Sequence, residues 1–486
     1  MSVRVSASTS AVPRVARSPR NAAVHGQNAG ARSASAQVPQ PTRNPARAAT
    51  SLIRLVLAMP ARARVSRLSG WAWEGMSLDV VLTAVGVSGA IVAALSLRIR
   101  RMPVSEPLIG LVIGILLGRE VLGALRLPTL LENHALLHEA TRLLLALSVM
   151  AVALRYPIRD ARQQLRPVLI LLIVVMPVMA LASAGLALAV LGVPVAAAVL
   201  LGAAICPTDP VLASSVVTGE PAEQDIPSRN RQVLSLESGA NDGLALPFVL
   251  AAIALAGPLT GGEAVLESLW QVLAAVFLGI AGGLLGARAL RIGEDHGAAE
   301  NSSAIMFTLV LALGVLGGAG LLKADGILAV FVAGLAFNAA STGADRAGAV
   351  SIDEAINRFA VLPVFVLLGA MLPWEVWTEL GWRGPALAVA VLLLRRIPVV
   401  CLLRRGLRVG RPDALYLGWF GPIGVSALFY LTLEADRLGV DPVVLAAGAL
   451  VVAVSTAAHG LTSAPGRVLY RRASTADAPA TTGPQP

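Results

Sequence analysis

Val233-Leu234-Ser235-Leu236-Glu237-Ser238-Gly239-Ala240-Asn241-Asp242-Gly243-Leu244-Ala245-Leu246 sets two carboxylates inside a stretch that otherwise reads as membrane-spanning and runs on through Phe248-Val249-Leu250-Ala251-Ala252-Ile253. A charge at mid-bilayer costs a few kcal/mol or more, so such side chains face a water-filled cavity and handle ions or protons. On a helix Ser238 and Asp242 share one face, with Glu237 and Asn241 on the adjacent stripe. One turn therefore offers a hydroxyl and a carboxylate to the same small ligand.

The rest of the chain fits a membrane solvent. It is 56% hydrophobic and 14% charged over 486 residues, with a mean hydropathy of +0.73, far too apolar for a soluble protein. Aromatics are only 4%, and the apolar mass is Ala, Val, Leu and Gly, which favours close-packed helices over a β-barrel with aromatic girdles. Breaks between runs of membrane length predict thirteen spans near 77–97, 105–124, 136–154, 168–192, 195–218, 232–256, 266–287, 303–322, 325–340, 356–372, 384–403, 413–433 and 442–463. Odd-numbered loops and the C-terminal tail carry twenty arginines, whereas the even-numbered loops and their helix edges hold only Arg119, Arg126, Arg142, Lys323, Arg383 and Arg437. The positive-inside rule then puts the C-terminus in the cytoplasm of a multi-pass plasma-membrane protein.

The net charge of +10 comes from the N-terminal arm, since residues 1–70 hold eleven Arg and no Asp or Glu. Residues 1–75 read as a disordered Arg-rich arm preceding a working protein that starts at Met76, 76–465 as the transmembrane domain, and 466–486 as a disordered cytoplasmic tail. Cys206 and Cys401 lie in apolar spans and read as reduced, packed thiols. The single lysine, Lys323, belongs to no P-loop, and no cofactor motif occurs. His134 and His138 read as helix-edge histidines in water, and His296 beside Glu294-Asp295 as an ordinary solvated one.

Two further motifs converge on the first. Cys206-Pro207-Thr208-Asp209-Pro210 interrupts the fifth span, where each proline removes a backbone donor. Broken backbone at membrane depth is tolerated only where it is buried or lines a cavity. Gly418-Trp419-Phe420-Gly421-Pro422-Ile423-Gly424-Val425-Ser426 breaks the twelfth span in the same way through Gly421, Pro422 and Gly424, with no role read for Ser426. Two interrupted helices, one per half, point to an inverted repeat with a binding site between them. Arg395-Arg396, in the eleventh span, either finds carboxylate partners, Glu237 being the natural one, or snorkels to the cytoplasmic interface.

Pro-Thr-Asp-Pro, then Glu-Ser-x-x-Asn-Asp-Gly, then Gly-Pro-x-Gly, together with Gly326-Ile327-Leu328-Ala329-Val330-Phe331-Val332-Ala333-Gly334, resembles the NhaP/NHE-type monovalent cation:proton antiporters over about residues 77–465. The resemblance implies an all-α fold of thirteen helices, with the fifth and twelfth unwound and crossing, a moving core domain, and a homodimer. It makes Asp242 the carboxylate that binds either cation or proton and Asn241 its paired amide. Ser238 and Thr208 complete the shell of the transported metal ion, Asp209 stabilises the half-helix ends, and Glu237 pairs with Arg396 or, one position away, Arg395. It also implies electroneutral exchange of Na+, with K+ or Li+ as alternatives, for H+, without enzymatic activity or nucleic-acid binding. Two positions depart from the family pattern: Leu147–Leu154 lacks an acid, and Ile423 stands where relatives often have arginine. A passive cation channel and a small organic-anion symporter remain as other classes. An intramembrane aspartyl protease would use Asp209 with Asp242, but its Gly-x-Gly-Asp context is absent.

Overall fold

Proline, aspartate and glycine divide the apolar text into helices, and each works through the backbone donors or acceptors that a helix end leaves free. The computed structural model describes residues 104–257, 259–296, 303–341 and 360–476, with isolated positions at 83, 86 and 87, all within the unit Ala72–Pro486. The first expected span, 77–97, and the arm 1–75 therefore lie essentially outside the described residues.

The regular elements there are helices: α1 Glu106–Leu117, α2 Ala135–Arg155, α3 Leu165–Leu191 with one π turn, α4 Val195–Ala204, α5 Pro210–Val217, α6 Ser228–Leu244 and α7 Leu246–Ala256. They continue as α8 Gly261–Asp295, α9 Ser303–Leu321, α10 Gly326–Ala340, α11 Val361–Ala370, α12 Trp374–Leu380, α13 Arg383–Leu394, α14 Ile397–Leu402, α15 Arg411–Trp419, α16 Val425–Leu438 and α17 Pro442–Ala476. Helix occupies the centre of every expected span from the second onward except the fifth and the twelfth, whose centres fall in the gaps 205–209 and 420–424. Among the described residues, six stretches are long and apolar enough to cross a membrane alone: α2, α3, α6 with α7, α8, α13 with α14, and α17. The α11–α12 pair bends by 66°.

Asp209 and Asp325 act as N-caps, each accepting from the two amides at the start of its helix, α5 and α10. These caps satisfy donors that hydrocarbon could not. Small residues set the packing distances. A Cβ on Gly114 would lie 2.2 Å from the Val366 carbonyl oxygen and one on Gly369 2.4 Å from that of Leu111, so α1 and α11 touch backbone to backbone. Without water to drive helices together, such close approach supplies the attraction.

The two ends of the bundle differ in charge. At one end Arg229 donates to the carbonyls of Leu407 and Arg408, Asn230 to Asp413, and Arg467 and Arg471 both meet Asp225. At the other, Arg437 pairs with Glu267, His134 with Asp436, and Trp270 donates to the Leu322 carbonyl. Among the described residues, the fifth and eleventh loops and the C-terminal segment thus gather at one end, and the second, sixth, eighth and twelfth loops at the other. Helix α17 continues to Ala476, so the tail boundary expected at 466 falls inside a helix. At 35 residues it is roughly 50 Å long, well beyond the ~30 Å hydrocarbon layer, and its surplus is braced by Asp225.

Candidate functional site

Both interrupted spans stop where the prolines require. Helix α4 ends at Ala204 and α5 restarts at Pro210, which is compatible with the first turn because its missing N–H would have no partner there. Helix α15 ends at Trp419 and α16 begins at Val425. The two gaps meet. The Asp209 amide donates to the Pro422 carbonyl at 3.0 Å. Its Oδ1 accepts from Val211 and Leu212 at 2.7 and 3.0 Å, and its Oδ2 from the Val425 amide at the start of α16. One carboxylate thus caps two half-helices and faces the positive end of each dipole. Gly424 has to be glycine here, since a Cβ would lie 2.5 Å from both Asp209 Oδ2 and Leu212 Cδ1.

The freed carbonyls are collected by Arg395. Its guanidinium donates to the carbonyls of Ile205, of Cys206 and Pro207 at 3.3 Å, and of Gly421 at 2.8 Å, joining both gaps. Neither arginine snorkels: Arg395 is 2% and Arg396 1% exposed. Arg395 also needs no carboxylate partner, because several backbone carbonyl dipoles surround it. Arg396 forms the forked pair with Glu237, Nη1 to Oε1 at 2.8 Å and Nη2 to Oε2 at 3.0 Å, with Nε donating to the Leu417 carbonyl. Gly421 makes room, for its Cβ would sit 2.5 Å from the Arg396 side chain.

Around Glu237 a polar network closes. Asn241 Nδ2 donates to Glu237 Oε1 at 2.9 Å and to Thr208 Oγ1 at 2.8 Å, and its Oδ1 accepts from the Thr208 amide at 3.2 Å. The Thr208 hydroxyl also lies 2.9 Å from Ser238 Oγ and 3.3 Å from Glu237 Oε2. All five expected cation-site residues, Thr208, Asp209, Ser238, Asn241 and Asp242, are buried with 0% exposure.

Asp242 differs from its neighbours. Neither Oδ1 nor Oδ2 makes a hydrogen bond of standard geometry among the described residues, and the side chain that approaches it is the hydroxyl of Ser426, which itself makes no other such bond. Its backbone is fixed instead, since the Tyr430 hydroxyl donates to the Asp242 carbonyl. Gly239 and Gly243 let α10 press against α6, a Cβ on either meeting Phe331 or Leu328 at 2.6 and 2.7 Å. Sequence reasoning missed Ser426, Tyr430 and the role of Arg395. The second gap is also held by α17, where the Ile423 amide donates to Ser455 Oγ at 2.9 Å and His459 Nε2 lies 2.9 Å from the Trp419 carbonyl.

Two interrupted helices meeting beside a buried carboxylate define a class, the ion-handling membrane proteins that build their site from half-helix ends. Residues 87–466 match the family described as "Sodium/hydrogen exchanger, transmembrane", and the chain belongs to that family. It is 33% identical over 389 residues to Na(+)/H(+) antiporter 2 of Zygosaccharomyces rouxii, covering 76% of this chain and 48% of that protein. It is 31% identical over 386 residues to the Na(+)/H(+) antiporter of Saccharomyces cerevisiae, covering 75% and 39%. The chain thus spans less than half the length of these two relatives. The fold is that of the sodium proton antiporter MjNhaP1 of Methanocaldococcus jannaschii, with a TM-score of 0.64 at 18% identity over 82% of this chain and 100% of that one.

Proposed function

We propose that the chain exchanges a monovalent cation for H+ across the membrane, with Na+ the first candidate and K+ or Li+ the alternatives. The observation that carries this is Asp242. A fully buried carboxylate with no positive partner beside it needs a proton or a cation as counter-charge. A proton and a cation exclude each other on one carboxylate, because each neutralises the charge the other needs.

Glu237 differs in kind, because its charge is already matched by Arg396 and it serves to hold α6 against α14. If the elements around the gaps move only when Asp242 is neutralised, by either ligand, the two gradients couple without ATP. Ser238 and Thr208 offer neutral oxygens to the cation, Asn241 holds Thr208 in place, and Asp209 keeps the half-helix ends together. With Asn241 beside it, Asp242 carries one exchangeable charge, so we read the cycle as electroneutral, one cation for one proton. A homodimer in the plasma membrane with a cytoplasmic C-terminus completes the reading. The names of the yeast relatives support the exchange of Na+ for H+, and the arginine asymmetry supports the cytoplasmic C-terminus.

The test is dequenching of a pH-sensitive dye in everted vesicles on addition of Na+, K+ or Li+. Wild type is expected to respond and Asp242→Asn to be silent. No response to any cation from well-expressed wild type would refute exchange, and a voltage-dependent rate would refute the one-for-one stoichiometry.

A further inference from the structure

A cavity of about 180 Å³ opens at the arginine-poor end of the bundle and has Tyr430 and Asp325 among its lining residues. Tyr430 is the residue whose hydroxyl holds the Asp242 carbonyl. The cavity therefore reaches to within one side chain of the candidate exchange site without containing it.

Asp325 is 4% exposed, and only one of its oxygens is used: Oδ1 accepts from the Ile327 and Leu328 amides, both at 3.0 Å, while Oδ2 has no hydrogen-bond partner among the described residues. The backbone of Asp325 is fixed as well, its amide donating to the Gln271 carbonyl at 3.2 Å. The side chain of Gln271 also lines the cavity and donates its Nε2 to Glu267 Oε1 at 2.8 Å, which leaves its amide oxygen as an acceptor. The cationic lining residues do not neutralise Asp325, because each has a carboxylate of its own: Arg142 meets Glu139 at 3.1 Å and Arg437 meets Glu267 at 3.0 Å. His138 is engaged with Thr432 at 2.9 Å. What remains is one buried, unmatched carboxylate oxygen in a cavity that Gln271 also lines, and oxygen ligands with a single negative charge suit a hard cation.

We propose that this cavity is a second binding site for a monovalent alkali cation, with Asp325 Oδ2 as its charged ligand. The proposal rests on the exchange reading only for the class of ion. Its test isolates the outer site. Purified full-length protein carrying Asp242→Asn is titrated with NaCl, KCl and LiCl against choline chloride at equal ionic strength, following thermal unfolding. At least one alkali cation is expected to raise the unfolding midpoint by mass action. The rise is expected to vanish when Asp325→Asn or Asp325→Ser is added, and both residues preserve the helix cap. A midpoint that no alkali cation moves in the Asp242→Asn protein overturns the outer site, and so does a rise that survives both second substitutions. Failure of the exchange reading is seen elsewhere, as silence of wild-type vesicles toward every cation.

Discussion

Glu237 and Asp242 are five positions apart on one helix, and both are shut away from water, yet their surroundings prepare them for opposite work. Glu237 accepts from two Arg396 nitrogens and from Asn241, whereas Asp242 has no cation beside it and only the Ser426 hydroxyl approaching it among the described residues. A matched buried pair adds little net stability, but removing one partner strands the other charge, at a cost of about 3–5 kcal/mol. Arg396→Met is therefore expected to lower the thermal midpoint strongly, and adding Glu237→Gln should restore much of the loss. A double variant no more stable than Arg396→Met would show that the pair does not act as a unit. Asp242→Asn leaves this network untouched. It should unfold at or above the wild-type midpoint while losing exchange, and a large destabilisation would mean that Asp242 is structural.

At the scale of elements, the argument turns on how two broken helices are held at one point. Both breaks were legible, because proline chemistry is local and Pro207, Pro210 and Pro422 each remove a donor wherever they stand. That Glu237 could meet one of the two arginines was legible too, since charge at depth demands charge, but the choice of Arg396 over Arg395 came only from the resemblance. The role of Arg395 was not legible, because its acceptors are carbonyls, which every residue has and no sequence reveals. Ser426 and Tyr430 were equally hidden, being lone hydroxyls on an apolar helix whose meaning depends on which helix lies opposite. Gly421 and Gly424 read in sequence only as helix breakers, and the structure adds a steric reason in the contacts each would make with a Cβ. Gly424→Ala would push its Cβ against Asp209 Oδ2 and Leu212 and separate the half-helix ends. Exchange should fall steeply in protein that still purifies as a folded species. Gly317→Ala serves as the comparison: nothing lies within 4 Å of its Cβ on α9, and it should be neutral or stabilise by about 0.5–1 kcal/mol. Equal activity in the two variants would refute the contact between the breaks.

At the scale of the whole molecule, the arginine count and the clustering of loops are independent facts that agree. Alternation was visible in sequence because each span reverses the chain's direction and the positive-inside rule leaves a charge record at every turn. The structure gathers Arg229, Arg467 and Arg471 at one end through contacts with Leu407, Arg408 and Asp225, and Lys323 stands exposed beyond α9 near the other. Neither fact by itself says which end meets the cytoplasm; that step rests on the charge rule alone, so it can be tested separately from transport. With Cys206→Ala and Cys401→Ser as background, cysteines are placed singly at the exposed positions Lys323 and Ala473. A membrane-impermeant maleimide applied to intact cells should label Lys323→Cys directly and Ala473→Cys only after the cells are opened. Labelling of both from outside would mean that the surplus of α17 crosses or leaves the membrane. The reverse pattern would invert the protein, and the cavity at Asp325 would then open to the cytoplasm instead of the exterior.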